Sequence, residues 1–138
     1  MAEVKRKYLI EADFMYRGYR CVCVGNNMGH RCGYVGIPRG HKEYEEDYDD
    51  IPIYCHGGLT YGSHNPNYPV ANNEGLYWIG FDCAHYGDAK DPELLKIFGQ
   101  QNNPYLSDLF SDGVVRTQEM VEGELRGIVN QLYLPQNE

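Results

Sequence analysis

Apolar and polar residues alternate along the first part of the chain, which is the pattern of a strand with one buried face. Tyr8, Ile10, Ala12 and Phe14 recur at every second position and predict a strand within the first 16 residues. The segment YRCVCV at 19–24 predicts a second strand. In that strand Arg20, Val22 and Val24 would face one side, and Tyr19, Cys21 and Cys23 the other. A turn is expected at 25–27, where Gly is followed by two Asn residues.

Several short apolar runs in the middle of the chain predict further strands. CGYVGI at 32–37 ends at Pro38, and LYWIGFDC at 76–83 is the most apolar run, as expected of a central strand. Two weaker strand segments, 51–55 and 59–61, are separated by Gly57 and Gly58. The stretches 39–50 and 63–73 are polar and predict loops.

The last third of the chain has the spacing of helices. Asp91 is a suitable N-cap, Pro92 a suitable first helical residue, and the helix at about 92–98 should end near Gly99. Between 115 and 133 apolar residues recur every three or four positions, and Pro135 should close that helix. Strands followed by helices predict an α+β fold: a small antiparallel sheet with a C-terminal helix packed on one face, in a single domain over 1–138.

Composition and charge indicate which partners and which cellular compartment the protein has. The net charge is −8, which disfavours binding to bulk nucleic acid. No stretch approaches the roughly 18 apolar residues of a membrane helix, and the basic start lacks an apolar run, so no membrane and no export are expected. Five cysteines form no CxxC pair, which predicts free thiols and a cytoplasmic protein. Thirteen Tyr residues suit a ligand site or a homo-oligomer contact, although Tyr is also a good strand residue.

Charge is unevenly distributed along the chain. No Asp or Glu occurs from Phe14 to Lys42, a stretch that holds Arg17, Arg20, Arg31 and Arg39. Arg binds phosphate through a planar fork, and nearby Gly residues let backbone N–H groups approach an anion. The segment therefore predicts a site for a small anion. The alternative is a basic face paired with the acidic run at 43–50 of the same or another subunit.

Three motifs concentrate His, Gly and Asp. They are GHRCGYVGIPRGH at 29–41, HGGLTY at 56–61 and GFDCAH at 80–85. Together they resemble the motifs of a small family of bacteriophage and prophage proteins, with the pattern GYVGxPxGH, then HGGLT and an aromatic residue, then GFDCAH. The resemblance covers about residues 19–88. It implies a phage context, and small phage proteins often counter host defence. By analogy, one possible role is sequestration of the nucleotide messengers of immune signalling.

The motifs are compatible with three kinds of chemistry. His56, Asp82 and His85 are candidate ligands for zinc or manganese, with Asp88 as a further carboxylate, although a structural role, with Asp82 holding a loop by hydrogen bonds, is favoured over a metal. His56-Gly57-Gly58 resembles the oxyanion loop of esterases, but their G-x-S-x-G elbow is absent. Cys83 beside His85 is a candidate thiolate and base pair, although a buried Cys is the more common case. The third possibility is a binding pocket without chemistry.

The pocket without chemistry is the favoured hypothesis. It predicts a protein that captures a small anionic, nucleotide-like ligand, with no cofactor required. The candidate ligand-binding residues are Arg17, Arg20, His30, Arg31, Tyr34, Arg39, His41, His56, Thr60, Tyr61, Trp78, Asp82 and His85. In this hypothesis arginines bind phosphate and aromatic residues stack on bases. The alternatives are a metal-dependent hydrolase of a phosphorylated or nucleotide substrate, and an acidic inhibitor of a host nucleic-acid enzyme.

Overall fold

A computed structural model describes residues 7–44, 46–104 and 113–133 of the chain. The strands are β1 (Tyr8–Tyr16), β2 (Tyr19–Asn26), β3 (Arg31–Pro38), β4 (Tyr61–Ser63), β5 (Leu76–Asp82), β6 (Asp88–Ala89) and β7 (Val114–Val115). The helices are α1 (Pro92–Ile97) and α2 (Gln118–Tyr133), and a short 3-10 helix covers Tyr48–Asp50.

The first five strands form one antiparallel sheet in the order β1-β2-β3-β5-β4. Strand β5 lies between β3 and β4 and is buried along most of its length, as its continuous apolar sequence predicts. Helix α2 contacts β1, β2 and β3 on one face of the sheet. The predicted α+β fold, an antiparallel sheet with a C-terminal helix on one face, is therefore confirmed.

Alternation along the strands divides the buried residues between the two sheet faces. Tyr19, Cys21 and Cys23 lie on the α2 face, while Val22 and Val24 lie on the other, as the YRCVCV pattern predicts. The apolar face of α2 fills the first layer with Val121, Leu125, Ile128, Val129 and Leu132. On the opposite face Val22, Val24, Tyr34 and Trp78 pack with residues that include Tyr68 and Val70 of the 64–75 loop.

The segment 51–55 is not a strand, contrary to the prediction. The position next to β5 is taken by Tyr61–Ser63, which form β4. Instead the side chain of Gln131 on α2 accepts from the backbone N–H of Tyr54 at 2.8 Å and donates to its carbonyl at 2.7 Å. A single amide thus supplies both hydrogen bonds that a neighbouring strand would have made.

Helix α1 agrees with the prediction, because Asp91 caps it, Pro92 begins it and it ends just before Gly99. Helix α2 begins at Gln118, three residues after the expected start, because Val114–Val115 pairs in parallel with Asp88–Ala89. That small second sheet was not predicted. Pro135 lies outside the described residues. Within the described part of the chain, neither helix has the length and apolar character that crossing a bilayer requires.

One buried ion-pair cluster connects the sheet edge to α1. A bulge between Ile10 and Ala12 makes Glu11 the extra residue of β1. The Arg31 guanidinium lies 2.7 Å from Glu11 and 2.8 Å from Asp91, and it also donates to the carbonyl of Arg116 at 3.1 Å. The Arg31 side chain is only 8% exposed, so these contacts replace its solvation.

Candidate functional site

A small open cleft of about 50 Å³ lies between the end of β5 and the first turns of α2. Phe81 and Val121 form its buried apolar floor, and Met120 lies exposed beside them. The complete lining is His56, Phe81, Cys83, Arg116, Met120, Val121 and Glu124. An apolar floor bordered by a few polar groups is the usual composition of a small-molecule site.

Asp88 lies behind the cleft and connects three segments. Its carboxylate is fully shielded from solvent. It accepts from Nε2 of His56 at 2.9 Å, from Nε of Arg116 at 2.8 Å and from the backbone N–H of His85 at 3.0 Å. Burial alone would raise the pKa of Asp88, but these hydrogen bonds outweigh burial and lower its pKa below the ordinary value. Asp88 is therefore ionised at neutral pH.

His56 is oriented at both its ring and its backbone. An ionised Asp88 can only accept, so Nε2 of His56 carries a proton and donates it to Asp88. The backbone N–H of His56 donates to Oε1 of Glu124 at 2.8 Å. Glu124 of α2 and Asp88 of β6 together hold the imidazole in one direction.

Asp82 and His85 fix the neighbouring loop. Asp82 accepts from the hydroxyl of Thr60 and from the backbone N–H of Ala84, both at 3.1 Å. Nε2 of His85 lies 3.1 Å from Asp82, at ion-pair distance but without the alignment of a hydrogen bond. The His56 and His85 rings are in edge-to-face contact, with centroids 6.1 Å apart. The contacts of Asp82 are those of a loop-fixing residue, one of the two roles considered for it.

Gly57 lies where the loop that follows His56 meets the ring of His85, and the fold needs a glycine there. Its φ is +71°, and an added Cβ would lie 2.4 Å from Nε2 of His85. Gly58 has a similar φ of +81°, but nothing lies within 4 Å of its Cβ position. Gly58→Ala should therefore cost about 1 kcal/mol from backbone strain alone. Gly57→Ala should cost about 1 kcal/mol more, because the His85 ring must also move.

Urea denaturation of the two glycine variants separates the backbone effect from the contact. Equal losses in both would contradict the close approach of His85 to Gly57.

Cys83 in the cleft is a protonated thiol. Burial raises its pKa to about 12, and the negative charge of Asp88 adds to the rise. A thiol in this state is a poor nucleophile at neutral pH. The hypothesis that Cys83 and His85 form a thiolate and base pair is not favoured by this environment.

The four candidate arginines do not come together. Arg17 and Arg20 lie at the β1–β2 turn, at the same end of the sheet as Arg39, whereas Arg31 begins the opposite end of β3. β3 spans about 23 Å. Arg20 is bound by both carboxylate oxygens of Asp13, and Arg17 packs over the ring of Tyr133. A single phosphate site built from these four residues is not present.

The candidate histidines of the first motif are also separated. His41 lies beyond the far end of β3, where Nδ1 accepts from the backbone N–H of Glu43 and the ring contacts Tyr19. His30 lies at the near end with Nδ1 buried, and burial and the Lys90 ammonium lower its pKa. Burial likewise lowers the pKa of His41.

The candidate stacking residues lie on the other face of the sheet from the cleft. Trp78 is fully buried and cannot stack on a ligand. Tyr34 is buried, and its hydroxyl is hydrogen-bonded to that of Tyr68 at 2.9 Å. Tyr61 packs edge-to-face against Tyr34, with ring centroids 5.2 Å apart. These three side chains form a second core layer and do not line the cleft.

The zinc or manganese hypothesis requires several ligating side chains that converge on one point. In residues 7–44, 46–104 and 113–133, no three His, Cys, Asp or Glu side chains are grouped to hold an ion. Nε2 of His56 faces Asp88, whereas Nε2 of His85 lies against Gly57 and Asp82.

Two polar cleft residues were missed by sequence analysis. Arg116 and Glu124 lie outside the three motifs, in the segment 115–133 for which only a helix was predicted. A signal was present for Glu124, which borders the apolar stripe of α2 between Val121 and Leu125. Arg116 has no such signal, because its position depends on the pairing of β6 with β7.

Comparisons of the chain with protein-family models, curated proteins and solved structures give no match.

Proposed function

We propose that this protein binds a small nucleotide-like ligand in the cleft beside α2 and holds it without converting it. The carrying observation is the combination of an apolar floor with the oriented polar groups of His56, Arg116 and Glu124. The cleft's volume, about 50 Å³, is well below the roughly 300–1,000 Å³ of sites that enclose a drug-sized ligand, so only an edge of the base would enter it. The anionic phosphate would remain at the open mouth.

Binding without conversion is supported by the state of the groups in the cleft. The Cys83 thiol is protonated at neutral pH, and Asp88 is engaged by three donors rather than open to a substrate. Stoichiometric capture would lower the free concentration of a nucleotide messenger, which is the sequestering role that the resemblance to phage proteins implies. All five cysteines are free thiols, in keeping with a cytoplasmic protein. A homo-oligomer remains a prediction.

Filling the cleft tests the proposal. Met120 is 41% exposed at the cleft, so Met120→Trp should occupy it without disturbing the core. Met15→Trp on β1, where Met15 is 64% exposed, is the matched control. By isothermal titration with the four ribonucleoside 5′-monophosphates, at least one should bind the wild type and the control, and Met120→Trp should weaken it at least about tenfold.

The bound nucleotide should also be recovered unchanged after heat denaturation of the protein. Absence of binding by all four nucleotides, or equal binding by Met120→Trp, would contradict the cleft as the site. A converted nucleotide would contradict binding without chemistry.

A further inference from the structure

Strand β1 forms one edge of the five-stranded sheet, and part of that edge has no partner. In the portion of the chain that the structure describes, β1 pairs with β2 alone. The side chain of Gln118, the first residue of α2, donates to the carbonyl of Glu11 at 3.3 Å and so covers the middle of the strand. No residue within 7–44, 46–104 or 113–133 makes such a contact with the outer backbone groups of residues 12–16. We call residues 12–16 the open edge.

The turn after β1 sets the direction of its backbone hydrogen bonds. Arg17 and Gly18 both have positive φ, +51° and +85°, as in the two-residue turns that join antiparallel strands. The residues that flank such a turn, Tyr16 and Tyr19, exchange hydrogen bonds with each other. Bonded and unbonded pairs then alternate along the two strands. Every second residue of the open edge, counted back from Tyr16, is therefore bonded to β2.

Two residues of the open edge direct their backbone groups away from the sheet. By this alternation Phe14 is bonded to β2, whereas the N–H and C=O groups of Asp13 and Met15 point outward. The opposite side of β2 agrees, because the N–H of Asn26 donates towards β3, to the carbonyl of His30 at 2.9 Å. Even-numbered residues of β2 thus bond to β3, which leaves its odd-numbered residues for β1.

We propose that the open edge pairs with the open edge of a second copy of the chain, so that two sheets join into one. The inference goes beyond the proposed function and does not depend on the ligand. Antiparallel pairing about a twofold axis at Phe14 brings Asp13 opposite the partner's Met15, and Met15 opposite the partner's Asp13. Each of these pairs would exchange both of its N–H and C=O hydrogen bonds. Every outward backbone group of the two residues is then used.

The side chains of the open edge are compatible with this pairing on both faces of the sheet. On one face the charge of Asp13, which Arg20 balances at 2.7 Å, would lie beside the uncharged side chain of the partner's Met15. The side chain of Met15, now 64% exposed, would be partly covered. On the other face Phe14 would meet the partner's Phe14 at the axis, where the strands come closest and aromatic pairs are favourable.

Helix α2 leaves room for the second sheet. The twofold axis is perpendicular to the sheet, so both copies of α2 would lie on the same face. Helix α2 packs mainly on β2 and β3 and less on β1. Its counterpart would therefore lie about four strand spacings away, or roughly 19 Å, which exceeds the roughly 10–12 Å diameter of a helix.

The open edge also lacks the features by which edge strands usually avoid such pairing. Residues 12–16 contain neither Lys nor Pro, and the bulge of β1 lies before them, at Glu11. Their only charged side chain, Asp13, is already paired with Arg20. An edge of this kind favours addition of another strand.

Sedimentation equilibrium and amide exchange on the wild type test the inference without any substitution. An interface of this small size should give a weak dimer, with a dissociation constant of roughly 10–100 μM. Above that concentration the amide hydrogens of Asp13 and Met15 should exchange at least about tenfold more slowly than in dilute protein. The amide of Phe14, bonded to β2, should be protected at both concentrations. A monomer at concentrations well above this range, or exchange at Asp13 and Met15 that is independent of concentration, would overturn the inference.

A pair of variants at one position tests whether the backbone carries the contact. Met15→Pro removes the outward N–H but no hydrogen bond to β2, and we expect the dimer to weaken at least about tenfold. Met15→Thr keeps the N–H and suits a strand, so its dimer should match that of the wild type. A folded Met15→Pro variant that dimerises like the wild type, or equal weakening by both variants, would overturn pairing through the backbone. Should Met15→Pro fail to fold, the exchange of the wild type decides the question.

Discussion

Replacing Arg31 with Ala should lower the free energy of unfolding by about 3–5 kcal/mol. The substitution leaves the carboxylates of Glu11 and Asp91 without the cation that now lies 2.7 and 2.8 Å from them. Their side chains are only 10% and 14% exposed, so water cannot replace the lost partner fully. The expectation from sequence, that Arg31 binds a ligand phosphate, is not supported by these contacts.

Arg20→Ala provides the control for Arg31. Arg20 also binds a carboxylate through two nitrogens, but both it and Asp13 are 33% exposed. The loss there should stay below about 1 kcal/mol, because exposed ion pairs are largely balanced by hydration. Urea denaturation of both variants measures the contrast. Similar midpoints for the two would show that the Arg31 cluster is not the buried network that the distances describe.

Replacing Asp88 with Asn should cost about 3 kcal/mol at neutral pH. The amide keeps one oxygen but presents N–H₂ to donors that now point at a carboxylate, namely His56, Arg116 and the backbone N–H of His85. The His56 ring also loses the carboxylate that orients it. Ligand affinity should therefore fall together with stability.

The pH dependence of the unfolding free energy separates the effect of the Asp88 charge from the effect of its shape. The pKa of Asp88 is lower in the folded state than its ordinary value of 3.8. The ionised carboxylate therefore stabilises the fold fully at pH values above 3.8. That stabilisation is lost as the pH falls through the folded-state pKa. The difference in unfolding free energy between wild type and Asp88→Asn should be largest above about pH 4 and shrink below it. Asp13→Asn, at an exposed ion pair, serves as control. A difference that does not depend on pH would contradict the charge argument.

The fold was largely predictable because its main signals are local. Alternation over 8–14 and 19–24 identified β1 and β2, and the Asp91-Pro92 pair identified the start of α1. The segment 51–55 was mispredicted because its alternation resembles that of a strand, whereas the choice of the segment that pairs with β5 is a property of the whole topology. The pairing of β6 with β7 joins positions about 26 residues apart through two-residue strands, too short for a periodic signal.

The site was predictable only in part. His56 was identified by its motif, and Asp88 was noted as a further carboxylate, but the partner of each depends on distant segments. Arginines that are close in sequence were expected to cooperate, yet residues at opposite ends of a strand cannot contact one ligand. The charge pattern of the sequence identified a cluster of cationic residues. It did not predict which of these cations the fold pairs with buried carboxylates, as it pairs Arg31 with Glu11 and Asp91.

The two hydrogen bonds between the Gln131 side chain and the backbone of Tyr54 couple the loop that contains Tyr54 and His56 to the C-terminal half of α2. The amide hydrogen of Tyr54 is protected from solvent exchange only while Gln131 is in place, and Gln131 is in place only while that part of the helix is folded. Exchange at Tyr54 should therefore follow the opening of the helix rather than of the sheet. The loop beside the cleft would then belong to the same cooperative unit as α2, although its sequence looks like that of a strand.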